Sequence, residues 1–353
     1  MTVSEAKTLL TKLPKADLGF FPTPLHKLKN LSDEFNINLY MKRDDFSGRN
    51  LFGGNKIRKL EYLLGDALER HCDYVFTYGA TQSNHAMQTA AAARSLGMTP
   101  VLYLVAIVPP DKNDIRSNLL LDQIFGAEIH VVEMKDGESE EDAENRSFEM
   151  AKERMKELNS LGHLCYDIPM GGANEIGSAA FIEGYAELCE QLEALNLTPD
   201  YIFHATGTGG TMAGLAAGNV LLGSRSNIVS VNVSKKNEQY LIDTADLATK
   251  SLRLIGSNQS VYYETDLHMD LNYYAPGYEQ PNEASTEAIR HLARTEGILT
   301  DPVYTGKALA GLFDYARSGR LSPNSTVIFW HTGGTTALFA ESSILGSLRM
   351  PLV

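Results

Sequence analysis

The sequence predicts an α/β fold with mostly parallel sheets, and three observations carry that prediction. Short apolar runs rich in β-branched and aromatic residues alternate with longer runs of helical period. Turns rich in glycine or hydroxyl residues follow several of the predicted strands. No internal repeat or low-complexity linker breaks the alternation, so any second domain must be woven into the first. Repeated alternation of strand and helix favours parallel strands with ligands at their carboxyl ends.

The predicted elements follow one another along the whole chain. Seven segments have the length and residue preferences of strands: 38–43, 74–78, 101–107, 128–133, 201–205, 228–233 and 326–331. Six segments between them have helical spacing: 56–70, 84–96, 115–124, 141–158, 175–194 and 210–222. The stretch DIPMGGANEIG at 167–177 indicates a crossover between two parts of the chain.

Lys56 is the first unusual residue, because it directly follows the flexible stretch GGN at 53–55. Asn55 is predicted to be the N-cap of helix 56–70, which places a cation at the positive end of the helix dipole. A desolvated lysine in that position loses affinity for its proton and becomes a usable nucleophile. The alternative is a solvated basic turn.

The stretch YIFHATGTGGTMAGLAAG at 201–218 predicts a strand, a glycine-rich turn and a helix. Free backbone N–H groups and hydroxyls at a helix N-terminus make a cradle for a single phosphate. The residues of this cradle are Thr206, Gly207, Thr208, Gly209, Gly210 and Thr211. A dinucleotide fingerprint is not present, because Met212 stands where its third glycine belongs, and no Walker GK[ST] follows. The alternative is a tight strand–helix turn without a ligand.

A third turn, within YGATQSNHAMQTAAAARSLG at 78–97, places polar residues before an alanine-rich helix. These residues are Thr81, Gln82, Ser83 and Asn84. Such a helix start suits a carboxylate, although most turns of this kind are only helix caps. Near the C-terminus, Lys307 competes with Lys56 as a nucleophile, but we expect it to be solvated or to neutralise a phosphate.

One unusual lysine, one phosphate-sized cradle and one carboxylate-sized turn point to the same kind of ligand. A cofactor that carries a phosphate and an aldehyde, and acts on an amino acid, would use all three. Pyridoxal phosphate is that cofactor.

Composition excludes several other classes. The chain has 353 residues with 43% hydrophobic and 21% charged residues, as in an ordinary globular protein, and its net charge of −13 argues against a nucleic-acid partner. The acidic run at 136–144 is predicted to be a solvated surface segment. The start lacks a signal-peptide core, and the apolar run at 101–108 is too short to span a membrane.

Cysteine and histidine spacing adds to these exclusions. Three cysteines lie far apart without a CxxC pair, which suits a reducing compartment: Cys72, Cys165 and Cys189. Three histidines lie beside the turns, but none has metal-binding spacing: His85, His204 and His331. We therefore expect a cytoplasmic protein without a metal site.

Six stretches in order resemble the family of 1-aminocyclopropane-1-carboxylate deaminases and D-cysteine desulfhydrases. They are KRDD…GGNKIRKLEYLL, QSNH…QTAAAA, GTGGTMAGLAAG, APGYEQPNEA, DPVYTGKA and HTGG, and they extend from about residue 20 to about residue 340. The resemblance implies a homodimer and the two-domain, parallel-sheet fold type II of pyridoxal-phosphate enzymes, which is like that of the tryptophan synthase β subunit. It also implies a large domain of residues 1–56 and 168–353, and a small domain of residues 57–167.

The resemblance implies a role for each motif residue. Lys56 would bind the cofactor covalently and move the Cα proton, and Asn84 would bind the pyridine hydroxyl. Residues 206–211 would hold the phosphate, and Ser83, within the turn 81–84, would bind the substrate carboxylate. Tyr278 and Tyr304 would flank the cofactor and the substrate.

Two positions separate the branches of the family. Deaminases carry Glu after the tyrosine of DPVY and Leu in place of the threonine of HTGG, whereas this chain has Thr305 and Thr332. A hydroxyl near the pyridine nitrogen makes a weaker electron sink than a carboxylate, which suits expulsion of a β leaving group better than ring opening. We therefore expect α,β-elimination, with D-cysteine giving sulfide, ammonia and pyruvate.

Other substrates and functions stay open at this point. Met87 stands where the family commonly has arginine, and VAIVPP at 105–110 replaces a polar segment, so cysteate, D-serine or another β-substituted amino acid is an alternative. Ring opening of aminocyclopropane carboxylate is the other reaction in the family. A nicotinamide oxidoreductase and a sensor that binds the cofactor without turnover are the remaining alternatives.

Overall fold

The computed structural model describes residues 1–50, 52–107, 110–111, 115–224, 226–280 and 282–339. Within them the strands are β1 (Leu25–Lys27), β2 (Asn38–Arg43), β3 (Tyr74–Ala80), β4 (Thr99–Ala106), β5 (Glu128–Glu133), β6 (Cys165–Asp167), β7 (Tyr201–Thr206), β8 (Asn227–Asn232), β9 (His268–Asp270) and β10 (Thr326–His331). The α-helices are α1 (Val3–Leu10), α2 (Lys29–Phe35), α3 (Asn55–Glu69), α4 (Asn84–Ser95), α5 (Ser117–Ile124), α6 (Glu140–Ser160), α7 (Glu175–Ala194), α8 (Gly210–Leu222), α9 (Glu238–Leu254), α10 (Tyr263–Asp266), α11 (Glu283–Glu296) and α12 (Thr305–Arg317).

The strands form two sheets. The larger has the order β1-β2-β10-β7-β8-β9, with β1 antiparallel to β2 and the other strands parallel. The smaller has the order β5-β4-β3-β6 and is parallel throughout. Helices cover the sheets, so β10 is buried along its whole length. The predicted α/β fold with parallel sheets is confirmed.

All strands of the smaller sheet lie between Tyr74 and Asp167, inside the range predicted for a small domain. The larger sheet takes its strands from both sides of that range. The predicted boundary at residues 56 and 57 falls within the first turn of α3, a helix that packs against both α7 and α4. The domain limits therefore stay a prediction.

The predicted strands and helices are all present, with boundaries that shift by a few residues. Strand β4 begins at Thr99 instead of residue 101, and α5 begins at Ser117 instead of residue 115. Asn55 is not the N-cap of α3, because Gly54 occupies that position and Asn55 is the first helical residue. Its side chain instead donates a hydrogen bond to Thr211 Oγ1 at 3.0 Å.

No helix in the described ranges is long and apolar enough to cross a membrane. The same residues contain no group of three or more His, Cys, Asp or Glu side chains placed to hold a metal ion.

Candidate active site

A cavity of about 790 Å³ lies where the carboxyl ends of the two sheets meet. The larger sheet contributes the residues after β7, β8 and β10, among them 206–209, Ser234 and Thr332. The smaller sheet contributes the residues after β3 and β4, among them Ser83 and Ile107. Parallel sheets place their ligand sites at this edge, and the volume is typical of small-molecule sites.

Lys56 reaches the cavity from the start of α3. Its Nζ donates to the carbonyl oxygen of Gly171 at 3.2 Å. Burial lowers the pKa of Lys56 from the ordinary value of 10.5 to about 8, because no carboxylate compensates for the lost water. About a tenth of this amine is therefore neutral, and thus nucleophilic, at pH 7, whereas an ordinary lysine is almost entirely protonated there.

The depressed pKa of Lys56 predicts how the protein without cofactor takes up pyridoxal phosphate. The rate of covalent uptake should rise with pH and reach half its limiting value near pH 8, because only the neutral amine attacks an aldehyde. Stopped-flow absorbance on both sides of that pH measures the rate. N-acetyl-lysine in the same pH series corrects for titration of the cofactor itself. A midpoint near the ordinary lysine value would contradict the assignment.

The glycine-rich turn after β7 forms an anion cradle. Helix α8 begins at Gly210, and its N-cap is Gly209, with a φ of +86° and no side chain to cap the helix. Among the described residues, no protein acceptor is found for the N–H groups of Gly209, Gly210 and Thr211. A Cβ at Gly209 would stand 2.9 Å from Thr244 Oγ1, so the backbone conformation and the packing both require glycine here. Free N–H groups at a helix start suit a phosphate.

Lys59 is a buried residue beside this cradle that the sequence analysis missed. It is fully buried, its Nζ donates to Gly171 O at 3.1 Å, and a Cβ at Gly210 would come within 2.7 Å of that nitrogen. Burial, together with the charge of Lys56, lowers the pKa of Lys59 well below its usual range. A bound phosphate would supply the missing countercharge. The sequence signal that could have identified Lys59 is its position one helical turn after Lys56, which puts both lysines on the same face of α3.

His85 is a second residue that the sequence analysis did not place in the site. Thr77 Oγ1 donates to Ile168 O at 3.0 Å, so at 2.8 Å it accepts from the Nε2–H of His85. Nδ1 then carries the lone pair, and it is buried without a partner in the described part of the chain. Burial, followed by the charges of Lys56 and Lys59, holds the pKa of His85 well below its usual value. The ring is therefore neutral.

The turn after β3 places Ser83 and Asn84 at the cavity. Ser83 is the N-cap of α4, and its Oγ accepts from Ala86 N at 3.2 Å. In the described structure no protein acceptor is found for the N–H groups of Asn84 and His85, which suits a carboxylate. A Cβ at Gly79 would come within 2.5 Å of Ser83 Oγ, so glycine leaves room for this hydroxyl.

Thr81 and Gln82, the other two residues of that turn, are not among the cavity-lining residues. Gln82 turns toward α5, where its Oε1 accepts from Asn118 N at 3.1 Å and its Nε2 donates to Arg116 O at 3.3 Å. Met87 is buried within α4 and does not line the cavity either. Of the segment 105–110, residues 108–109 lie outside the described residues.

Tyr278 and Tyr304 lie together on the cavity wall, and their hydroxyls share a short hydrogen bond. Burial raises the pKa of both phenols above the ordinary value, so both are neutral. A Cβ at Gly207 would lie 3.7 Å from the Tyr304 ring, which places that ring beside the anion cradle.

The expectation that Lys307 is solvated or neutralises a phosphate is wrong. Lys307 is fully buried, and its Nζ donates to the carbonyl oxygens of Gly277 at 2.7 Å and Tyr274 at 3.1 Å. It does not line the cavity. Burial lowers its pKa to about 8, as for Lys56, but its hydrogen bonds hold the segment that carries Tyr278.

The two threonines that separate the family branches occupy different places. Thr332 lines the cavity, while Thr305 is buried beneath it. Thr305 Oγ1 donates to Asp301 Oδ1 at 2.6 Å and accepts from Asp301 N at 2.9 Å. Thr332 is therefore a cavity residue with a neutral side chain, and Thr305 does not line the cavity.

The acidic run at 136–144 is not simply a solvated surface. Its residues Glu140, Glu141 and Glu144 line the cavity from α6, and Lys235 and Lys236 line it from the turn after β8. Burial raises the pKa of Glu144 above its ordinary value, and the neighbouring Glu140 adds to the shift. The cavity therefore has charged groups of both signs on its wall.

A nucleophilic amine and an anion cradle at the junction of two parallel sheets define a cofactor-dependent α/β enzyme. The chain belongs to the pyridoxal-phosphate-dependent enzymes, whose family model matches residues 16–333. The expected family and cofactor are thereby confirmed.

The relatives cover almost the whole chain. A protein of Pyrococcus furiosus with the provisional name 1-aminocyclopropane-1-carboxylate deaminase is 38% identical over 339 residues, which are 95% of this chain and 96% of the relative. A D-cysteine desulfhydrase of Klebsiella pneumoniae is 37% identical over 335 residues, 94% of this chain and 97% of the relative. The crystal structure of a homologue of 1-aminocyclopropane-1-carboxylate deaminase has a TM-score of 0.85 at 36% identity, covering 98% of this chain and 99% of the other. The processed form of a threonine deaminase from Solanum lycopersicum has a TM-score of 0.63 at 16% identity, covering 94% of this chain and 84% of the other, and supports the fold alone.

The cavity residues fit pyridoxal phosphate in charge and in donor groups. The free N–H groups of 209–211 suit the phosphate, and the amine of Lys56 suits the aldehyde. The amine of Lys59 does not line the cavity but lies beside the backbone at Gly210. The amide of Asn84 faces the same space and suits a ring oxygen. The chain is thus an enzyme of the group that carries out β-elimination or deamination on amino acids.

Proposed function

We propose that this enzyme catalyses α,β-elimination on a β-substituted amino acid, with D-cysteine as the best candidate substrate. One water is consumed, the Cα–H and Cβ–S bonds break, and the products are hydrogen sulfide, ammonia and pyruvate. The observation that carries the proposal is Thr332, a neutral residue, on the cavity wall, with Thr305 hydrogen bonded to Asp301 and outside the lining. The carboxylates among the described lining residues all belong to α6, so none lies in the turn that holds Thr332.

Pyridoxal phosphate, when bound, supplies an electron sink for the charge left when the Cα proton departs. A neutral threonine near the ring nitrogen would not hold a proton there, so the sink would be weaker than one supported by a carboxylate. Expelling a thiolate from Cβ demands less charge stabilisation than opening an unactivated cyclopropane ring. Thr332 therefore favours elimination over ring opening.

The other roles in the proposed reaction, which are proton removal, carboxylate binding and protonation of the leaving group, fall to groups around the cavity. The amine of Lys56 would remove the Cα proton, and its low pKa allows it to act as a base near neutral pH. Ser83 Oγ and the free N–H groups at the start of α4 would hold the substrate carboxylate. The neutral hydroxyl pair of Tyr278 and Tyr304 would lie beside the leaving group and can donate a proton to it.

A product screen tests this proposal. Purified enzyme would be supplied separately with D-cysteine, L-cysteine, cysteate, D-serine, β-chloroalanine and aminocyclopropane carboxylate, and the keto acid would be identified by chromatography. We expect pyruvate and sulfide from D-cysteine with the highest kcat/KM of the set. Enzyme with Lys56→Ala is the matched blank for non-enzymatic release of sulfide. A higher kcat/KM for aminocyclopropane carboxylate, with 2-oxobutanoate as product, would assign the deaminase reaction instead.

We further propose that the enzyme is a cytoplasmic homodimer whose partners are small amino acids, without a nucleic-acid or membrane partner. The support is the family resemblance for the dimer and the net charge of −13 for the absence of nucleic acid. Light scattering coupled to size-exclusion chromatography tests the dimer, and a monomer mass of 38.8 kDa in solution would contradict it.

A further inference from the structure

Asn84 carries a hydrogen-bond donor that no described protein group uses. Its Oδ1 accepts from Asn118 Nδ2 at 2.8 Å and from Thr336 Oγ1 at 3.3 Å. Its Nδ2 lies beside the turn after β10, where a Cβ at Gly334 would stand 3.0 Å away. No acceptor for Nδ2 is found among the described groups, and Asn84 lines the cavity. The amide thus has its oxygen engaged by protein and its N–H groups available to a ligand.

The backbone fixes the orientation of this amide. Asn118 Nδ2 also donates to the main-chain oxygen of Gln82 at 2.8 Å. A carbonyl oxygen can only accept, so the NH₂ end of Asn118 must face it, and the same NH₂ end faces Asn84. The end of Asn84 that meets this donor must then be the oxygen. Turning the Asn84 amide over would place two donors against each other.

Asn118 combines two hydrogen bonds to the turn that holds Asn84 with one buried atom that lacks a partner in the described structure. It is fully buried, and its own Oδ1 has no partner in the described structure. An unpaired buried amide oxygen is destabilising, so a side chain chosen for stability alone would be apolar here. Asn118 also sits where two parts of the fold join, because the adjacent Ser117 donates from Oγ to Thr336 O at 2.7 Å. The network thus links α5 to the segment after β10, with Asn84 between them.

We propose that Asn118, assisted by Thr336, is a positioning residue that presets Asn84 to donate to the ring oxygen of bound pyridoxal phosphate. This inference rests on the proposed function, because it requires the cofactor to lie in the cavity. The ring oxygen becomes more negative when the covalent link to the lysine loses its proton. A neighbouring N–H donor stabilises that deprotonated form and lowers the pH at which the visible absorption of the holoenzyme changes. Asn118 therefore controls the pH at which the visible absorption changes, although it does not contact the cofactor.

The test is a spectrophotometric pH titration of holoenzyme variants. Asn118→Leu removes both hydrogen bonds and leaves Asn84 free to turn, so the titration midpoint should move up by about one pH unit, the effect of losing one hydrogen bond to a charged group. Thr336→Val removes the longer bond and should move the midpoint in the same direction by less. It also supplies a second variant should Asn118→Leu not fold.

Leu119→Ala is the matched control, because Leu119 is buried next to Asn118 on α5 but makes none of these hydrogen bonds. It should lower the melting temperature and leave the midpoint unchanged. A wild-type midpoint in the Asn118 and Thr336 variants, or an equal shift in the Leu119 variant, would overturn this inference and leave the proposed function standing. A wild-type holoenzyme without a Lys56-linked visible band would overturn both.

Discussion

Replacing Lys56 with alanine is expected to abolish both covalent cofactor binding and turnover. The fall in kcat/KM should be at least about 10³-fold, because in the proposed mechanism one side chain supplies both the covalent attachment and the Cα base. Lys56 is the amine that combines a place on the cavity wall with a pKa lowered to about 8. Borohydride reduction followed by peptide mass spectrometry locates the modified lysine, and pyruvate release from D-cysteine measures turnover.

Lys307→Met is the matched control for this experiment. Lys307 is also buried, with a pKa of about 8, but its amine donates to the carbonyl oxygens of Tyr274 and Gly277 away from the cavity. The variant should keep the visible absorption of the bound cofactor, although a loosened Tyr278 segment should lower kcat. Borohydride reduction that labels Lys307, or visible cofactor absorption that persists in Lys56→Ala, would show that the covalent link is not at Lys56.

Breaking the buried ion cluster beneath the site is expected to have the largest effect on stability. Arg58 Nη2 lies 2.8 Å from both Asp44 Oδ1 and Glu187 Oε1, and Lys42 also pairs with Glu187. All four side chains are less than a tenth exposed. Arg58→Met leaves two buried carboxylates with one cation, so we expect the free energy of unfolding to fall by about 3 to 5 kcal/mol. Arg58 shares α3 with Lys56, so this cluster also anchors the helix that carries the nucleophile.

Chemical denaturation followed by circular dichroism measures this loss. The double variant Arg58→Met, Glu187→Leu removes one charge of each sign, so it should cost less than the two single variants added together. Asp33→Asn breaks the exposed pair with Lys29 and should leave the denaturation midpoint unchanged. Equal midpoints for wild type and Arg58→Met would show that the cluster contributes nothing to stability.

The same cluster gives stability a defined pH dependence. Burial by itself would raise the pKa of Glu187, but Arg58 and Lys42 outweigh it and lower the pKa to about 2 from an ordinary 4.5. The contribution of ionised Glu187 to the free energy of unfolding is therefore present above about pH 4.5, and it is lost as the pH falls toward 2. Glu187→Gln should flatten the loss of stability across that window.

The sequence identified those parts of the fold and the site that are set by residues close to one another along the chain. Period and residue preference located β2, β7 and β10, because each is a short buried strand with strong local preference. The glycine-rich run at 206–211 identified an anion cradle, because free N–H groups at a helix start follow from local geometry. The sequence did not predict the short strands β1, β6 and β9 or the helices α1, α2, α9, α10 and α11.

The sequence by itself indicated the cofactor, which the family confirms, and it predicted the site from an amine after a flexible loop, a phosphate cradle and a carboxylate turn. The flexible lead-in favoured Lys56 over Lys307, but only the tertiary structure showed that Lys56 lines the cavity and that Lys59 and Lys307 do not. It also placed Asn118, 34 residues away, in hydrogen-bond contact with Asn84. Burial and hydrogen-bond partners are set by groups distant in sequence, and these contacts control the pKa and the direction of each side chain.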